Sequence, residues 1–75
     1  MITYEPLWET MKRKNATTYT LRFKGNPYSI DSSTIRRIKA GLSVSTNTLD
    51  TICNILDCDI SDIIKYIPDK NNRET

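Results

Sequence analysis

Apolar residues recur at the spacing of an α-helix in five short stretches of the chain. The first two stretches predict one helix over about residues 6–14 and another that starts at Thr17 or Thr18 and runs to about Lys24. Pro6 suits the first turn of the first helix, because the N–H that proline lacks has no helical partner there. Both of these helices are short, so each needs neighbours against which to bury its apolar side.

The next two predicted helices carry clear start and stop signals. Asp31 is a good N-cap for a third helix over about residues 32–40, and Gly41 suits the position after its end. Ser45 is a good N-cap for a fourth helix. The apolar stripe of that helix follows the i, i+3, i+4, i+7 pattern and consists of Leu49, Ile52, Cys53 and Leu56.

The two ends of the chain have different patterns. Ile2 and Tyr4 alternate with polar neighbours, which is typical of a short strand or an extended arm. Asp59 suits the start of a fifth short helix, and Pro68 would end it. The apolar side of this helix would consist of Ile60, Ile63, Ile64 and Ile67. We therefore expect an all-α fold of five helices, to which a short N-terminal strand pairing near the C-terminus can be added.

The length of 75 residues allows one small domain, which we expect over residues 1–68, followed by a polar, flexible tail over residues 69–75. No apolar run reaches the about 18 residues of a membrane span. The N-terminus lacks the features of a signal peptide, so we expect a cytoplasmic protein that does not enter the membrane. We interpret Cys53 and Cys58 as small core residues in a reducing compartment.

The net charge of +2 conceals an uneven distribution. Residues 12–39 contain eight Lys and Arg against one Asp, which gives +7, whereas residues 50–69 contain one Lys against five Asp, which gives −4. A molecule with this division has one part that suits polyanions. The sequence contains no histidine, no glycine-rich phosphate loop and no zinc-type cysteine spacing. These features argue against catalysis, a metal site and a cofactor.

The third predicted helix has two contrasting sides. Ile35 and Ile38 would face the other helices, and the outward side would carry Ser32, Ser33, Arg36 and Arg37. Short hydroxyl side chains allow a duplex to approach closely, and arginine pairs with the O6 and N7 atoms of guanine. A merely solvated surface helix is the competing interpretation. The order of a short helix, a turn and this helix within a basic stretch favours a helix-turn-helix that reads the major groove.

Three segments, "PLWETMKRKN", "SSTIRRIKAG" and "STNTLDTICNILDCDISDIIKYIP", together resemble the small Cro/repressor-type (xenobiotic-response-element family) helix-turn-helix regulators of bacteria, phages and conjugative elements. The resemblance covers about residues 2–69. It implies a compact five-helix fold of the lambda-repressor type, binding to a double-stranded DNA operator, usually as a homodimer, and no catalysis. A repressor of transcription is the function that this combination predicts.

The resemblance also assigns roles to individual positions. It implies base contacts from Ser32, Ser33, Arg36 and Arg37. It implies phosphate contacts from Thr17, Thr18, Tyr19, Ser45, Thr46 and Asn47, and the position of Lys39 on its helix places it beside the sugar–phosphate edge as well. The turn between Leu21 and Ile30 is longer than is usual in the family, which leaves the docking angle open and makes Tyr28 a candidate backbone contact. We interpret Phe23 as a cover for this turn.

The isoleucine-rich C-terminal part supports a second hypothesis. Residues 60–68 contain more isoleucine than one short helix can bury, and surplus apolar surface indicates an interface. This interface would hold either a second copy of the chain or a different protein, such as a phage inhibitor or an antitoxin partner. The candidate interface residues are Ile2, Tyr4, Ile64, Tyr66 and Ile67.

Overall fold

Helices dominate the computed structural model, which describes residues 1–24 and 29–68. In this part of the chain the elements are β1 (Ile2–Thr3), α1 (Glu5–Arg13), a π-helix (Thr20–Lys24), α2 (Ser32–Lys39), α3 (Thr46–Leu56), a 3₁₀ turn (Ile60–Asp62) and β2 (Lys65–Tyr66). The predicted backbone contact of Tyr28 and the predicted tail over residues 69–75 lie outside the described residues. No helix within the described ranges has both the length and the apolar character needed to cross a bilayer.

The starts of α2 and α3 are fixed by side-chain caps, as the sequence predicts. The Asp31 carboxylate accepts a hydrogen bond of 2.9 Å from the N–H of Thr34. The Ser45 hydroxyl accepts one of 3.2 Å from the N–H of Thr48. Each bond satisfies a donor that the first helical turn leaves without a backbone partner. Gly41 follows α2 with a φ of +78°, a left-handed conformation that glycine adopts without steric cost.

The second predicted helix is present but is wound as a π-helix. Its first turn is set by a bond of 3.3 Å from the N–H of Leu21 to the carbonyl of Thr17. The N–H of Thr17 in turn donates to the hydroxyl of Thr20 at 3.1 Å. After the long turn, the N–H of Ile30 returns to the carbonyl of Leu21 at 2.9 Å. This last bond joins the π-helix directly to the residue before the α2 cap.

The prediction of a fifth helix is wrong, because its second half forms a strand. Only the 3₁₀ turn is helical, and there the N–H of Asp59 donates to the Asp62 carboxylate at 3.2 Å. The strand β2 pairs antiparallel with β1, so that Ile2 lies opposite Tyr66. The predicted pairing of an N-terminal strand near the C-terminus is therefore confirmed. β1 supplies backbone partners for Lys65 and Tyr66, and this pairing takes the place of a further helical turn.

The core draws a buried side chain from every helix. Its members are Tyr4, Leu7, Met11, Leu21, Ile30, Ile35, Ile38, Ile52, Leu56 and Ile63. Tyr4, which the sequence analysis assigned to a partner surface, is only 7% exposed. Its hydroxyl donates to the carbonyl of Leu42 at 2.6 Å, because a buried phenol needs an acceptor. Tyr4 therefore belongs to the core, and the surface assignment is corrected.

The two cysteines occupy the positions that the sequence predicts for them. Cys53 and Cys58 are free thiols, half-buried against the core. Burial raises the pKa of both thiols above the usual value, since it disfavours the charged thiolate. A thiol of raised pKa behaves as a small apolar side chain rather than as a nucleophile.

Candidate nucleic-acid interface

The outward side of α2 is accessible to a large ligand. Ile35 and Ile38 are buried beneath it. The polar residues on this helix that the sequence predicts to contact DNA are all exposed, namely Ser32, Ser33, Arg36, Arg37 and Lys39. The two isoleucines anchor one side of the helix to the core, and as a result hydroxyl and cationic groups cover the other side. This arrangement is what a helix needs in order to enter a groove.

The first turn of α2 is occupied by its own cap. Besides the bond to Thr34, the Asp31 carboxylate accepts a bond of 3.3 Å from the Ser33 hydroxyl. These hydrogen bonds, with the largest effect from Thr34, hold the pKa of Asp31 below its usual value. An ionised carboxylate at this end of α2 opposes the attraction of the helix terminus for phosphate. Attraction to a polyanion must therefore come from the cationic side chains.

Arg37 is partly immobilised by the loop that joins α2 to α3. Its Nε donates to the carbonyl of Ser43 at 3.0 Å. This bond uses one of the five N–H donors of the guanidinium and fixes the orientation of its plane. A side chain held in this way loses less conformational entropy on binding than a free one. This hydrogen bond to Ser43 gives the Arg37 side chain a more defined orientation.

The predicted phosphate-contacting residues come from separate segments, and the structure brings some of them beside α2. One shallow recess contains Arg37 of α2 and the cap residue Ser45 of α3. A second recess contains Asp31 together with Asn47. The surfaces of Ser45, Thr46 and Asn47 are all exposed. The start of α3 therefore lies along one side of α2.

The residues at the start of the π-helix show a wider range of exposure. Thr17 and Tyr19 are exposed, whereas Thr18 is half-buried. Tyr19 contacts Phe23, with 4.8 Å between ring centroids. The Cζ atom of Arg22 lies 4.7 Å from the centroid of the Phe23 ring. The sequence analysis missed this cluster, although the i, i+4 spacing of Tyr19 and Phe23 is a signal for such a contact on a helix.

The predicted partner surface is apolar and lies around the two strands. Ile2, Tyr66 and Ile67 are exposed, and Ile64 is half-buried. An apolar recess beside them is lined by Met1, Ile2, Tyr4, Gly41, Leu42, Ser43, Val44, Leu49 and Ile64. This recess continues the apolar surface of the sheet as far as the loop after α2. The structure thus brings four of the five predicted interface residues to one end of the molecule and places the side chain of Tyr4 beneath them.

Comparison with known proteins agrees with this architecture. Residues 6–69 match the family model of the Cro/C1-type helix-turn-helix DNA-binding domain. The match covers most of the chain, which therefore belongs to this family of DNA-binding domains, as the sequence resemblance indicated. A search of curated proteins finds no match.

A solved structure with a similar fold is the crystal structure of the transcriptional regulator VanUg, Form II. The two chains are 28% identical, the match covers 91% of this chain and 87% of that chain, and the TM-score is 0.77. The class of protein is accordingly a DNA-binding domain of the Cro/C1 helix-turn-helix type.

Proposed function

We propose that this protein is a sequence-specific repressor of transcription that places α2 in the major groove of an operator. The observation that carries this proposal is the exposed side of α2, which presents two serines and two arginines above the buried Ile35 and Ile38. Membership of the Cro/C1-type family and the likeness to a transcriptional regulator support it. Repression follows from occupancy, because a protein bound across an operator obstructs the polymerase.

The proposed contacts divide into two kinds. Ser32, Ser33, Arg36 and Arg37 contact base edges, with Arg37 already oriented by Ser43. Contacts to the sugar–phosphate backbone come from Thr17, Thr18, Tyr19, Lys39, Ser45, Thr46 and Asn47. The Ser45 hydroxyl oxygen accepts the capping bond of α3 from the N–H of Thr48. Its own O–H is the group that would donate to a phosphate. The phosphate contacts set the register, and the base contacts select the sequence.

We also propose that two copies bind together through the apolar surface around β1 and β2. Ile2, Ile64, Tyr66 and Ile67 form this surface, and Leu42 continues it at the edge of the adjoining recess. Exposed apolar side chains gathered at one place on a small domain indicate an interface. A symmetric dimer would read two half-sites about one helical turn apart. The same surface is the reason to keep a protein-binding module as the second candidate function.

Enrichment of duplexes from a random pool, followed by sequencing, tests the proposed function. We expect one preferred motif with two related half-sites, whose binding constant falls with salt at a log–log slope of about −4 to −5 for about five phosphate contacts. A single half-site would contradict the dimer. A pool without any preferred motif, together with a protein that co-purifies with the chain, would favour the protein-binding module instead.

Substitution of the two arginines tests the base contacts on the enriched motif. Arg36→Ala and Arg37→Ala should each cost about 1–3 kcal/mol of binding free energy on this duplex and less on a scrambled one, because a base contact favours one sequence. Lys14→Ala, at an exposed position just after α1, is the matched control and should leave both affinities unchanged. Equal losses on the two duplexes would show that the arginines contact only the backbone.

A further inference from the structure

An exposed cluster of one cation and two aromatic rings lies on the π-helix and the residue before it, and we call Tyr19, Arg22 and Phe23 the aromatic–arginine cluster. Tyr19 is 57% exposed and Phe23 is 54% exposed, although both rings are large and apolar. The Phe23 ring contacts both of the other members, with 4.8 Å between its centroid and that of the Tyr19 ring and 4.7 Å between its centroid and Arg22 Cζ. The rings therefore support the guanidinium at the surface rather than fill the core.

The cluster lies next to the base-facing helix. The hydrogen bond from the Ile30 N–H to the Leu21 carbonyl, at 2.9 Å, joins the residue before Arg22 to the residue before Asp31. Arg22 follows one partner of this hydrogen bond in sequence, and Asp31, the cap of α2, follows the other. The positive charge of Arg22 is also among the influences that lower the pKa of Asp31, after the hydrogen bonds from Thr34 and Ser33. The backbone hydrogen bond between Leu21 and Ile30 thus places Arg22 near the N-terminal end of α2, and its effect on Asp31 agrees with this position.

This place needs a cation if a polyanion is to approach it. The Asp31 carboxylate is ionised and repels DNA phosphates from the end of α2 that enters the groove first. Arg22 supplies the opposite charge near this carboxylate. A guanidinium over an aromatic ring has a restricted orientation and keeps its edge donors, which match the paired oxygens of a phosphate. To contact a base edge, the Arg22 guanidinium would have to extend into the groove, whereas a phosphate lies at the rim of the groove.

We propose that Arg22, supported by Phe23, binds a phosphate of the operator backbone beside the N-terminal end of α2. Arg22 is then a positioning residue that sets the depth and angle of α2 in the groove, and the cluster offsets the negative charge of the helix cap. The inference rests on the proposed function, because it requires the chain to bind duplex DNA. It assigns two residues to that surface, Arg22 and Phe23, which the sequence resemblance did not mark.

A double-mutant cycle on duplex binding by the full chain tests this inference. Arg22→Ala should weaken binding about tenfold on the preferred and the scrambled duplex alike, since a phosphate contact carries no sequence preference. It should also make the log–log salt slope shallower by about one. Phe23→Leu keeps an apolar side chain but removes the aromatic face. It should weaken binding about threefold in the wild-type background and leave binding unchanged in the Arg22→Ala background.

Duplexes with a single neutral methylphosphonate identify the phosphate. One position should weaken binding by the wild type and have no effect on Arg22→Ala. Lys14→Ala should keep the wild-type slope, and equal melting temperatures of all variants exclude a loss of folding. An unchanged slope in Arg22→Ala, or an equal effect of Phe23→Leu in both backgrounds, overturns the inference alone. Absence of salt-dependent duplex binding by the wild type overturns the proposed function and the inference together.

Discussion

Asp31 acts on the stability of the domain through its charge as well as through its place at the start of α2. Its carboxylate accepts hydrogen bonds from the Thr34 N–H and the Ser33 hydroxyl, and both are stronger with an ionised acceptor. The pKa of Asp31 is consequently lower in the folded protein than in an unfolded chain. Ionisation therefore stabilises the fold above the unfolded pKa of about 3.9, and this contribution is lost as the pH falls through the lower, folded value.

Asp31→Asn separates the charge from the cap, because asparagine caps a helix about as well as aspartate and does not titrate. The free energy of unfolding should differ between the wild type and Asp31→Asn by a constant amount above about pH 5. Below about pH 4 the difference should shift against the wild type. Urea unfolding across this range is the measurement, with Asp50→Asn, at an exposed position in α3, as the control. Parallel curves for wild type and Asp31→Asn would contradict the prediction.

At the scale of elements, the sequence predicts helix bounds well where neighbouring residues determine them. The caps Asp31 and Ser45 and the glycine after α2 lie within four residues of the groups that they satisfy, so the bounds of α2 and α3 follow closely from the sequence. The exposed side of α2 follows from the same periodicity, since burial of Ile35 and Ile38 leaves the arginines outside. The base-facing part of the candidate site was therefore predictable.

Elements that depend on distant partners were harder to predict. Isoleucine in residues 60–67 fits the apolar side of a helix and also a strand, and periodicity over so short a stretch does not decide between them. The strand β2 forms because β1, from the opposite end of the chain, supplies its backbone partners. Helical spacing alone likewise does not predict the contact of Phe23 with Arg22.

Tyr4 connects the first element to the loop that follows the base-facing helix, and this connection is testable. Its hydroxyl donates to the Leu42 carbonyl at 2.6 Å, and Leu42 lies in the loop that also contains Ser43, the partner of Arg37. Tyr4→Phe keeps the ring and removes the bond, which should lower the free energy of unfolding by about 1 kcal/mol. Chemical denaturation measures the loss. Tyr66→Phe, an exposed tyrosine in β2, is the matched control and should have almost no effect.

At the scale of the whole molecule, the basic part of the sequence does not form a single basic surface. The hydroxyl of Thr10 in α1 donates to the carbonyl of Asp62 at 2.7 Å, so α1 packs against the acidic C-terminal part. Burial raises the pKa of Cys58, and the nearby charge of Lys14 acts against this rise. Lys14, just after α1, thus lies near the acidic part. We therefore expect the charge that meets DNA to be smaller than the sum over residues 12–39 and to centre on Arg22, Arg36, Arg37 and Lys39.

Ile63 joins the two ends of the chain within the core, so its truncation should affect the whole molecule. It is 0% exposed, and its carbonyl accepts a bond of 3.2 Å from the N–H of Leu7 in α1.

Ile63→Ala leaves a cavity and should cost about 2–5 kcal/mol of the free energy of unfolding. A domain of this size has a free energy of unfolding of about 4–11 kcal/mol, so the variant should lose a large share of its stability. Ile60→Ala, where the side chain is 47% exposed, makes the same chemical change three residues away and should cost under about 1 kcal/mol. Urea unfolding followed by circular dichroism compares the two, and equal losses would show that the core does not depend on Ile63.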